Sequence, residues 1–490
     1  MKMRFLLCGL AGLLVLLVSS CDAGAPADSE PPASVPISPS ATTIYASWTT
    51  PAPSTTKISC GTTPGTYNIP AVDNGIQTNV RSHWAFISGL TASTTYHCQT
   101  GDGNQFTTKT LATPVSTPLV SVTFGTPVNP KPNQNNGDFY VNCVSNDHVT
   151  YLASDDISYG WGGVAFGANM SVNKLTRESP LTGANVNAMS NFGGSATCPF
   201  NGGKGSPKII GMYCDMGNIY VTYSLLNYEG CSQFAQPYAL AYGNILRSAD
   251  HGASWSNFQA PNKFNSNGAV PNPDTASMFA SNTGNSRLFS TASFVEYGTD
   301  NGQPLPACCR VDNADAYAYL IADDGIDPGR GGTDHLWLAR IPRQSLPGLD
   351  AAAIEYYTGG ADGSLDAAWS HSIGGIKPVL SYAVPYVNVP MVQYMPSTGR
   401  YILIISARIT DAADITWLVY EAPHPWGAFT LINTTHAPPQ GFYGLVPLQR
   451  SAAGATPNGT PLTLLMAGES GVAGGAWYQL WTLTMVANTH

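Results

Sequence analysis

The stretch that decides the fold is residues 312–360, DNADAYAYLIADDGIDPGRGGTDHLWLARIPRQSLPGLDAAAIEYYTGG. Residues 317–321 alternate large and small side chains, which is the period of a half-buried strand. A turn rich in Gly and Asp follows, and residues 335–340 alternate again, so the two segments predict an antiparallel hairpin. After a short excursion, residues 354–357 predict a third strand. This succession predicts one blade of a β-propeller.

The composition indicates an exported β-protein. Charged residues make up only 10% of the 490 residues, whereas Gly (50) and Pro (37) are abundant. That profile is typical of an extracellular protein with many turns rather than of a helical cytosolic enzyme. The formal net charge is −9, and the sequence holds no cluster of Lys or Arg. Because phosphate contacts need basic residues gathered on one face, we exclude nucleic acid as a partner.

The N-terminus predicts a lipid anchor. Two basic residues precede an apolar run at 5–18, which has the length of a signal-peptide core rather than of a membrane span. The run ends in Val-Ser-Ser-Cys, which resembles a bacterial lipobox. We therefore predict a lipoprotein signal peptide over 1–20, lipidation of Cys21, and anchoring of the exported chain in a membrane, at the cell surface or in the periplasm. The alternative is an ordinary signal peptide with a cysteine near its cleavage site.

Four segments are predicted after the signal peptide. Residues 21–40, rich in Pro, Ser and Ala, form a disordered tether. Residues 41–112 hold short alternating strands, which indicate a small all-β module, and 113–136 are a linker and entry strand. From 137 to 490, short aromatic or β-branched strands recur between Gly, Asn and Asp. Radial repetition protects so many strand edges, and this length fits five four-stranded blades.

The module at 41–112 resembles a fibronectin type III domain, a small β-sandwich. The resemblance rests on Gly-Leu at 89–90 and on Tyr96, the late tyrosine that pins the loop before its strand. Similar modules precede the catalytic domain of purple acid phosphatases, and Gly-Asp at 137–138 and Asp-His at 147–148 look superficially like their metal ligands. That class is excluded because no Asn-His dipeptide and no His-x-His occur in the sequence.

The cysteines predict disulfides. Eight cysteines remain outside the signal peptide and Cys21, and an even number in an exported chain favours pairing. Cys60 and Cys98 lie on strands of the module that can face each other, so we predict that they pair. Cys308 and Cys309 are predicted to bond separate partners, because a disulfide between neighbours strains the intervening peptide. No cysteine pair has zinc-ligand spacing with histidines nearby, and we predict no metal site built on cysteine.

One further motif supports the fold. Residues 248–255, SADHGASW, match the S-x-D-x-G-x-x-W Asp-box that occurs in sialidases and other sugar-handling propellers. The motif predicts a hairpin turn in which Asp250 caps backbone amides and Trp255 packs into the blade. This role is structural and predicts no chemistry.

Residues 137–490 resemble a family of secreted bacterial and fungal five-bladed propellers of formerly unknown function that includes endo-arabinanase-like glycoside hydrolases. The resemblance is carried by Leu-Ala-Arg-x-Pro at 338–342, Glu-x-Tyr-Thr-Gly at 355–359 and Ala-Pro-x-Pro-Trp-Gly at 422–427. It implies a five-bladed propeller and a glycan substrate that contains arabinofuranose. Most of the matching residues are of framework type.

Glycoside hydrolysis needs one carboxylic acid to protonate the leaving oxygen and a second carboxylate to attack carbon or activate water. Asp155 and Asp156 follow an apolar strand, and Asp315 precedes the alternating tyrosine strand. We predict that the catalytic pair is drawn from these three residues. The dipeptide at 155–156 resembles an early Gly-Asp-Gly segment of the family, with Ser154 in place of the first glycine. The alternatives are an Asx-turn at 155–156 and a blade-entry cap at Asp315.

Four other residues are predicted to bind substrate. Aromatic faces stack on sugar rings, so Tyr159, Trp161 and His371 are candidates for sugar subsites, although propeller aromatics also pack between blades. Glu296 follows an apolar strand and precedes Tyr-Gly, which makes it a third carboxylate candidate or, alternatively, a surface ion.

The remaining acidic residues favour structural interpretations. Asp147 and Asp215 lie in short segments typical of turns between strands. Asp323 and Asp324 lie in a Gly-rich loop that offers oxygen ligands for Ca²⁺, although their spacing matches no known calcium loop. We predict no other cofactor.

Together these patterns predict an extracellular, glycan-active, monomeric lipoprotein. The preferred hypothesis is an endo-acting glycoside hydrolase on an arabinofuranose-containing polysaccharide. The alternative is a non-catalytic propeller that binds carbohydrate or mediates adhesion. Carboxyl groups within about 10 Å of each other across one funnel favour hydrolysis.

Overall fold

The computed structural model describes the following residues, to which every structural statement below refers: 37–39, 44–71, 74–75, 78–87, 89–110, 117–130, 136–147, 149–159, 168–178, 181–187, 206–226, 240–257, 278–279, 288–289, 291–298, 317–323, 335–360, 367–381, 388–395, 398–408, 415–441, 443–448, 459–468 and 479–489.

The chain folds almost entirely as β-strands, so the predicted all-β class is confirmed. In the described part of the chain, the helices are single 3₁₀ turns: Leu346–Gly348, Ala351–Ala353, Ile373–Gly375 and Pro439–Gly441. A 3₁₀ turn has poor hydrogen-bond geometry and rarely extends beyond a few residues. No helix among the described residues has the length and hydropathy needed to cross a membrane.

The first seven strands form two sheets that enclose a small core. Their bounds are β1 Ile37–Pro39, β2 Ile44–Ser54, β3 Ile58–Gly61, β4 Ile69–Pro70, β5 Val80–Ile87, β6 Thr95–Thr100 and β7 Gln105–Lys109. One sheet has the order β1-β2-β5 and the other β4-β3-β6-β7. Ile44, Ala46 and Trp48 occupy alternate positions of β2 and are all buried. This period of two lets β2 contribute one whole face to the core.

Two predictions about this module are confirmed. Cys60 and Cys98 form a disulfide, and they are also direct cross-strand neighbours on β3 and β6. The Tyr96 hydroxyl oxygen accepts a hydrogen bond from the Thr91 N–H (2.9 Å), and the Tyr96 ring is buried. The late tyrosine therefore pins the loop before its strand, as the sequence pattern predicts.

The remaining strands form five antiparallel groups. Their bounds are β8 Ser121–Phe124, β9 Asn136–Val144, β10 Thr150–Tyr159, β11 Ala168–Glu178, β12 Leu181–Asn187, β13 Ser206–Asp215, β14 Asn218–Leu226, β15 Leu240–Ser248, β16 Ser256–Asn257, β17 Ser293–Glu296, β18 Tyr317–Ala322, β19 His335–Pro342, β20 Glu355–Gly359, β21 Ala368–Ser370, β22 Pro378–Ser381, β23 Asn388–Met395, β24 Arg400–Arg408, β25 Ile415–Ala422, β26 Thr430–His436, β27 Tyr443–Pro447, β28 Thr460–Ala467 and β29 Leu480–Asn488.

We call these groups sheets I to V. Sheet I is β9 to β12, sheet II is β13 to β16, and sheet III is β17 to β21 with β22 beside β19. Sheet IV is β23 to β26, and sheet V has the order β27-β28-β29-β8. Sheets III and IV are also joined through a short parallel pairing of β17 with β23.

The five sheets form a closed, propeller-like cycle. The first strand of each sheet contacts the first strand of the next, in the order β9, β13, β17, β23 and β27, and β27 contacts β9. Sheet V is completed by β8, which comes from the segment before sheet I and pairs antiparallel with β29. Apolar clusters fill the spaces between successive sheets. Closure of this kind leaves only short, protected sheet edges.

The hairpin predicted from residues 312–360 is confirmed within the described residues. β18 and β19 pair antiparallel from Tyr317 opposite Pro342 to Ala322 opposite Trp337, and β20 pairs with β19. The sheet nevertheless begins earlier in the chain than the deciding stretch, because its innermost strand is β17. The sequence indicated an apolar strand before Glu296, but a four-residue strand gives a weak periodic signal, and no local pattern showed that it belongs to this sheet.

The Asp-box turn has the predicted structure. Asp250 Oδ1 accepts hydrogen bonds from the Ser254 N–H (2.8 Å) and from the Ser248 hydroxyl (2.7 Å). The Trp255 ring is buried, and its Nε1–H donates to the Gly252 carbonyl oxygen (3.0 Å). The carboxylate thus satisfies turn donors while the indole fills the space under the turn.

This turn predicts a pH-dependent stability. Partial burial acts to raise the pKa of Asp250, but hydrogen bonds from Ser254 and Ser248 outweigh it and hold the pKa below its ordinary value. A carboxyl whose pKa is lower in the folded chain stabilises the fold above its unfolded pKa, and this stabilisation is lost as pH falls through the folded pKa. We expect Asp250→Asn to lower the free energy of unfolding by about 1 kcal/mol at pH 7.

Thermal denaturation of the wild type and Asp250→Asn at pH 7 and near pH 3 checks this expectation. The difference between the two proteins should shrink at the lower pH, because the stabilisation by the wild-type carboxylate decreases once the pH falls below the ordinary pKa of an aspartate. An equal difference at both pH values would contradict the account.

Candidate functional site

The innermost strands run in the same direction around the cycle. Gly211 of β13 lies against Ser293 of β17, where a Cβ on the glycine would be 2.9 Å from the Ser293 Cα. Farther along both strands, the Phe294 ring stacks on the Tyr213 ring, with 4.5 Å between the ring centroids. Because both contacts advance in the same direction, β17 runs parallel to β13. The pairing of Glu296 with Gln393 makes β23 parallel to β17. The N-terminal ends of these strands therefore lie together at one end of the cycle.

Sheets V and I follow the same arrangement. Phe139 lies beside Gly444, and Asn142 Nδ2 donates to the Pro447 carbonyl oxygen (2.9 Å), so β27 is parallel to β9. A disulfide joins Cys143 to Cys214, each one residue before the end of its strand. We call the end of the cycle where the innermost strands begin the N-terminal mouth.

Acidic residues from two sheets lie at the N-terminal mouth. On sheet I, Asp155 of β10 is the direct cross-strand partner of Asp138 of β9. On sheet III, Asp323 follows β18 and accepts a hydrogen bond from the Thr291 hydroxyl, two residues before β17. Asp323 is buried. Two acidic residues in register on neighbouring strands are not what sheet stability favours, because like charges directly opposite each other destabilise a sheet.

The backbone is irregular at the same point. The register between β9 and β10 shifts on both sides of Asp155, which marks β-bulges or irregularities. Phe139, next to Asp138, has a φ of 48°, a left-handed conformation that is a genuine outlier for a bulky residue. Bulges and strained residues of this kind occur preferentially next to active sites. Two register shifts and one left-handed residue therefore lie next to the Asp138–Asp155 pair.

Several predicted residues belong to this region. Asp155, Asp156 and Tyr159 all lie on β10, within the irregular part of the strand. Trp161 and Asp315 lie outside the described residues, as do Cys21, Asp324, Cys308 and Cys309. β18 runs antiparallel to β17, and its residue Ile321 pairs with Ser293 at the N-terminal mouth. Tyr317, the first residue of β18, therefore lies at the opposite end of the cycle from Asp155.

Glu296 lies on the axis of the cycle. It is half-buried and lines an axial pocket together with Asn142, Ser293, Gln393 and other residues of the innermost strands. Gln393 Nε2 donates to the backbone oxygens of Glu296 (3.2 Å) and Tyr394 (3.0 Å). The same pocket is lined by Val141 and Asn142, which follow Asp138 on β9.

His371 lies far from the axial pocket. It follows β21, the outermost strand of sheet III, and four strand spacings of about 4.8 Å separate that strand from β17. The His371 Nδ1–H donates to the Ile354 carbonyl oxygen (2.9 Å), and Nε2 lies 3.9 Å from a carboxylate oxygen of Glu355. Its side chain is 66% exposed. The structure therefore places His371 on the outer edge of its sheet rather than at the funnel.

The two aspartates predicted to lie in turns do so. Asp147 accepts hydrogen bonds from the Val149 N–H (3.0 Å) and the Tyr151 hydroxyl (2.8 Å). Asp215 ends β13 and also forms a buried ion pair with Arg343, whose Nε lies 2.9 Å from Oδ2. Burial raises the pKa of Asp215, although the Arg343 guanidinium acts in the opposite direction. The sequence did not indicate this ion pair, because its partners are 128 residues apart.

The sequence patterns predicted no role for Asp138. The Gly-Asp at 137–138 resembles a phosphatase metal ligand only superficially. The signal that identifies it is the cross-strand register with Asp155, which one sequence does not reveal. Among the described residues, no group of three or more His, Cys, Asp or Glu side chains is arranged to hold a metal ion.

Comparisons with known proteins find likeness only among solved structures. No protein-family model matches the chain, and no curated protein matches it. Zg3597, a family 117 glycoside hydrolase of Zobellia galactanivorans, is 8% identical, with a TM-score of 0.41, over 75% of this chain and 91% of its own. The Cellvibrio cellulosa α-L-arabinanase complexed with arabinohexaose is 10% identical, with a TM-score of 0.38, over 72% of this chain and 92% of its own.

A third structure, the xylan β-1,4-xylosidase of Bacillus halodurans, is 10% identical, with a TM-score of 0.40, over 72% of this chain and 53% of its own. These identities and scores are too low to assign a fold or an activity to this chain. The fold described above rests on the strand pairing of the chain itself, and the chain is assigned to no family.

Proposed function

We propose that the protein is an extracellular glycoside hydrolase whose five sheets are the blades of a propeller and whose reaction takes place at the N-terminal mouth. The observation that carries the proposal is the cross-strand pairing of Asp138 with Asp155. Glycoside hydrolysis requires two carboxyl groups that flank the scissile bond, and acidic residues on neighbouring strands can supply them. The left-handed Phe139 and the shifted register beside the pair support the same conclusion.

Each carboxyl group has a defined task in this chemistry. One protonates the glycosidic oxygen as the bond to the leaving sugar breaks, and the other attacks the anomeric carbon. Water then hydrolyses the covalent intermediate, with the first group acting as base. Two close carboxyl groups do not ionise together at the same pH, so the pair is suited to hold one proton at the start. Asp156, inside the irregular segment, is the alternative to Asp155 for either task.

The pairing also suggests the stereochemical course. Directly opposed residues on antiparallel strands have Cβ atoms about 4.5–5.5 Å apart. Carboxyl groups about 5–5.5 Å apart are typical of retaining enzymes, whereas inverting enzymes need about 6.5–9.5 Å to admit a water molecule. We therefore propose hydrolysis with retention of the anomeric configuration.

The substrate proposal follows from the sequence motifs at 338–342, 355–359 and 422–427. Their resemblance to endo-arabinanase-like propellers favours an arabinofuranose-containing polysaccharide, cut within the chain. Tyr159, on the same strand as Asp155, is proposed to contact the sugar, and Trp161 remains a predicted contributor. The module at 37–110 is proposed to be of the fibronectin type III kind, because its sheet orders and the Tyr96 hydrogen bond fit that fold.

Isosteric substitution of the carboxylates tests the hydrolase. Asp138→Asn and Asp155→Asn should each lower kcat on linear arabinan about 100-fold or more, because each removes a proton-transfer or nucleophilic group. The measurement is oligosaccharide release from arabinan and arabinogalactan by the purified ectodomain. Asp147→Asn, in a turn at the other end of sheet I, is the matched control and should keep wild-type activity.

The outcomes separate the hypotheses. Wild-type activity in both Asp138→Asn and Asp155→Asn would remove the pair from the mechanism. If the wild type binds the polymers in affinity electrophoresis but releases no sugar, the protein is a carbohydrate-binding propeller and not a hydrolase.

The stereochemical course has its own test. Proton NMR of the first product formed from a short arabinofuranoside should show the anomeric configuration of the substrate before mutarotation. Initial formation of the opposite anomer would show inversion and would require carboxyl groups farther apart than a direct cross-strand pair.

Lipidation of Cys21 is proposed from the sequence and is tested independently. Cells that express the full chain should incorporate radiolabelled palmitate into the wild-type protein, and Cys21→Ala should abolish the label and release the protein from the membrane fraction. Equal labelling of both proteins would contradict the lipid anchor.

A further inference from the structure

The Cys143–Cys214 disulfide joins two sheets of the cycle at their innermost strands. Cys143 lies on β9 of sheet I and Cys214 on β13 of sheet II, and both are fully buried. The bond therefore lies inside the molecule, between strands that belong to different sheets. The sequence predicted disulfides in general but did not predict this connection.

The Cys143–Cys214 disulfide lies at the edge of β9 that pairs with no other strand in the described residues. In the described residues, β9 pairs with β10 only, so its other edge faces the next sheet without strand pairing. Side-chain packing and the Asn142 hydrogen bond already restrict the level of β9, and a slip of one residue would move β9 by about 3.3 Å. A disulfide restricts the two Cα atoms to a narrow range, here 5.4 Å. The covalent bond thus fixes the level of β9 against β13.

The ladder on the other edge of β9 is weakest where the acidic pair lies. The register shifts on both sides of Asp155, and Phe139 interrupts the regular conformation of β9. Hydrogen bonds to β10 therefore do not fully determine where Asp138 lies. Asp138 is five residues before Cys143, about 17 Å along the same strand.

We infer that the Cys143–Cys214 disulfide is a positioning element that holds β9 so that Asp138 and Asp155 keep their catalytic separation. This inference rests on the hydrolase activity proposed above. The disulfide does not touch the substrate. Displacements of about 1 Å in a catalytic group can cost a factor of about 100 in rate, so a small movement of β9 suffices to make the crosslink matter.

The chain supplies a matched control. Cys60 and Cys98 also form a buried disulfide, but they lie in the N-terminal module on strands β3 and β6, which already pair with each other at these two residues. Removal of that crosslink leaves the ladder between its strands and does not involve β9. The two double variants therefore lose the same chemical bond in different structural settings.

The experiment compares Cys143→Ala/Cys214→Ala with Cys60→Ala/Cys98→Ala, at a temperature where near-UV circular dichroism shows both to be folded. In the first variant we expect kcat on linear arabinan to fall about 10- to 100-fold with little change in KM. The bell-shaped pH profile should become narrower, because carboxyl groups that move apart influence each other's ionisation less. The control variant should keep the kcat and the pH profile of the wild type.

A second variant, Cys143→Val/Cys214→Ala, restores apolar volume and keeps the test available if the first variant does not fold. The inference would be overturned if a folded variant without the crosslink kept the wild-type kcat and pH profile while Asp138→Asn and Asp155→Asn abolished activity. Absence of hydrolysis by the wild type on every polymer would instead overturn the proposed function, and the positioning role with it.

Discussion

Where most neighbouring sheets meet, no backbone ladder joins their innermost strands in the described residues. Other contacts therefore hold the cycle together. Between sheets III and IV the crossing is a short parallel pairing of β17 with β23. Elsewhere in the described residues it is made by side chains: a disulfide between sheets I and II, a buried Asp215–Arg343 ion pair between II and III, and an amide of Asn142 on the Pro447 carbonyl between V and I. Each of these contacts is directional, so together with the apolar clusters they specify how neighbouring sheets meet.

Irregular backbone occurs in several sheets. The register is continuous over eight pairs between β24 and β25 but shifts between β11 and β12 and between β25 and β26. In the described residues β9 is paired on one edge only, and it carries the left-handed Phe139 and the shifted register. Strain persists only where the surroundings over-determine the conformation. The packing of β9 against β13 and β27 supplies that constraint at the point where Asp138 is the register partner of Asp155.

The class of the fold and the elements with strong periodicity could be predicted from the sequence. The hairpin of β18 and β19, the Asp-box turn, the Tyr96 hydrogen bond and the Cys60–Cys98 disulfide all follow from local patterns, because each is fixed by residues close in sequence or by one strand period. The candidate site could be predicted only in part. Asp155 and Asp156 were predicted as catalytic residues from the end of an apolar strand. The role proposed for Asp138 and the ion pair of Arg343 depend on partners on other strands, and local sequence patterns do not show that register.

Glu296 and His371 were both predicted as substrate contacts, but a strand period does not say how far a strand lies from the axis. Glu296 lines the axial pocket, and its contact with substrate stays a prediction. His371 follows the outermost strand of sheet III and contacts Glu355 and the Ile354 carbonyl instead.

The pairing of β8 with β29 bears on how the chain is made in the cell. Ser121 and Asn488, which meet in this pairing, are 367 residues apart. The segment that contains β8 is synthesised long before β29, so sheet V cannot be completed until both strands are present. Until then the strand that lacks its partner has an unpaired edge, which can pair with other chains.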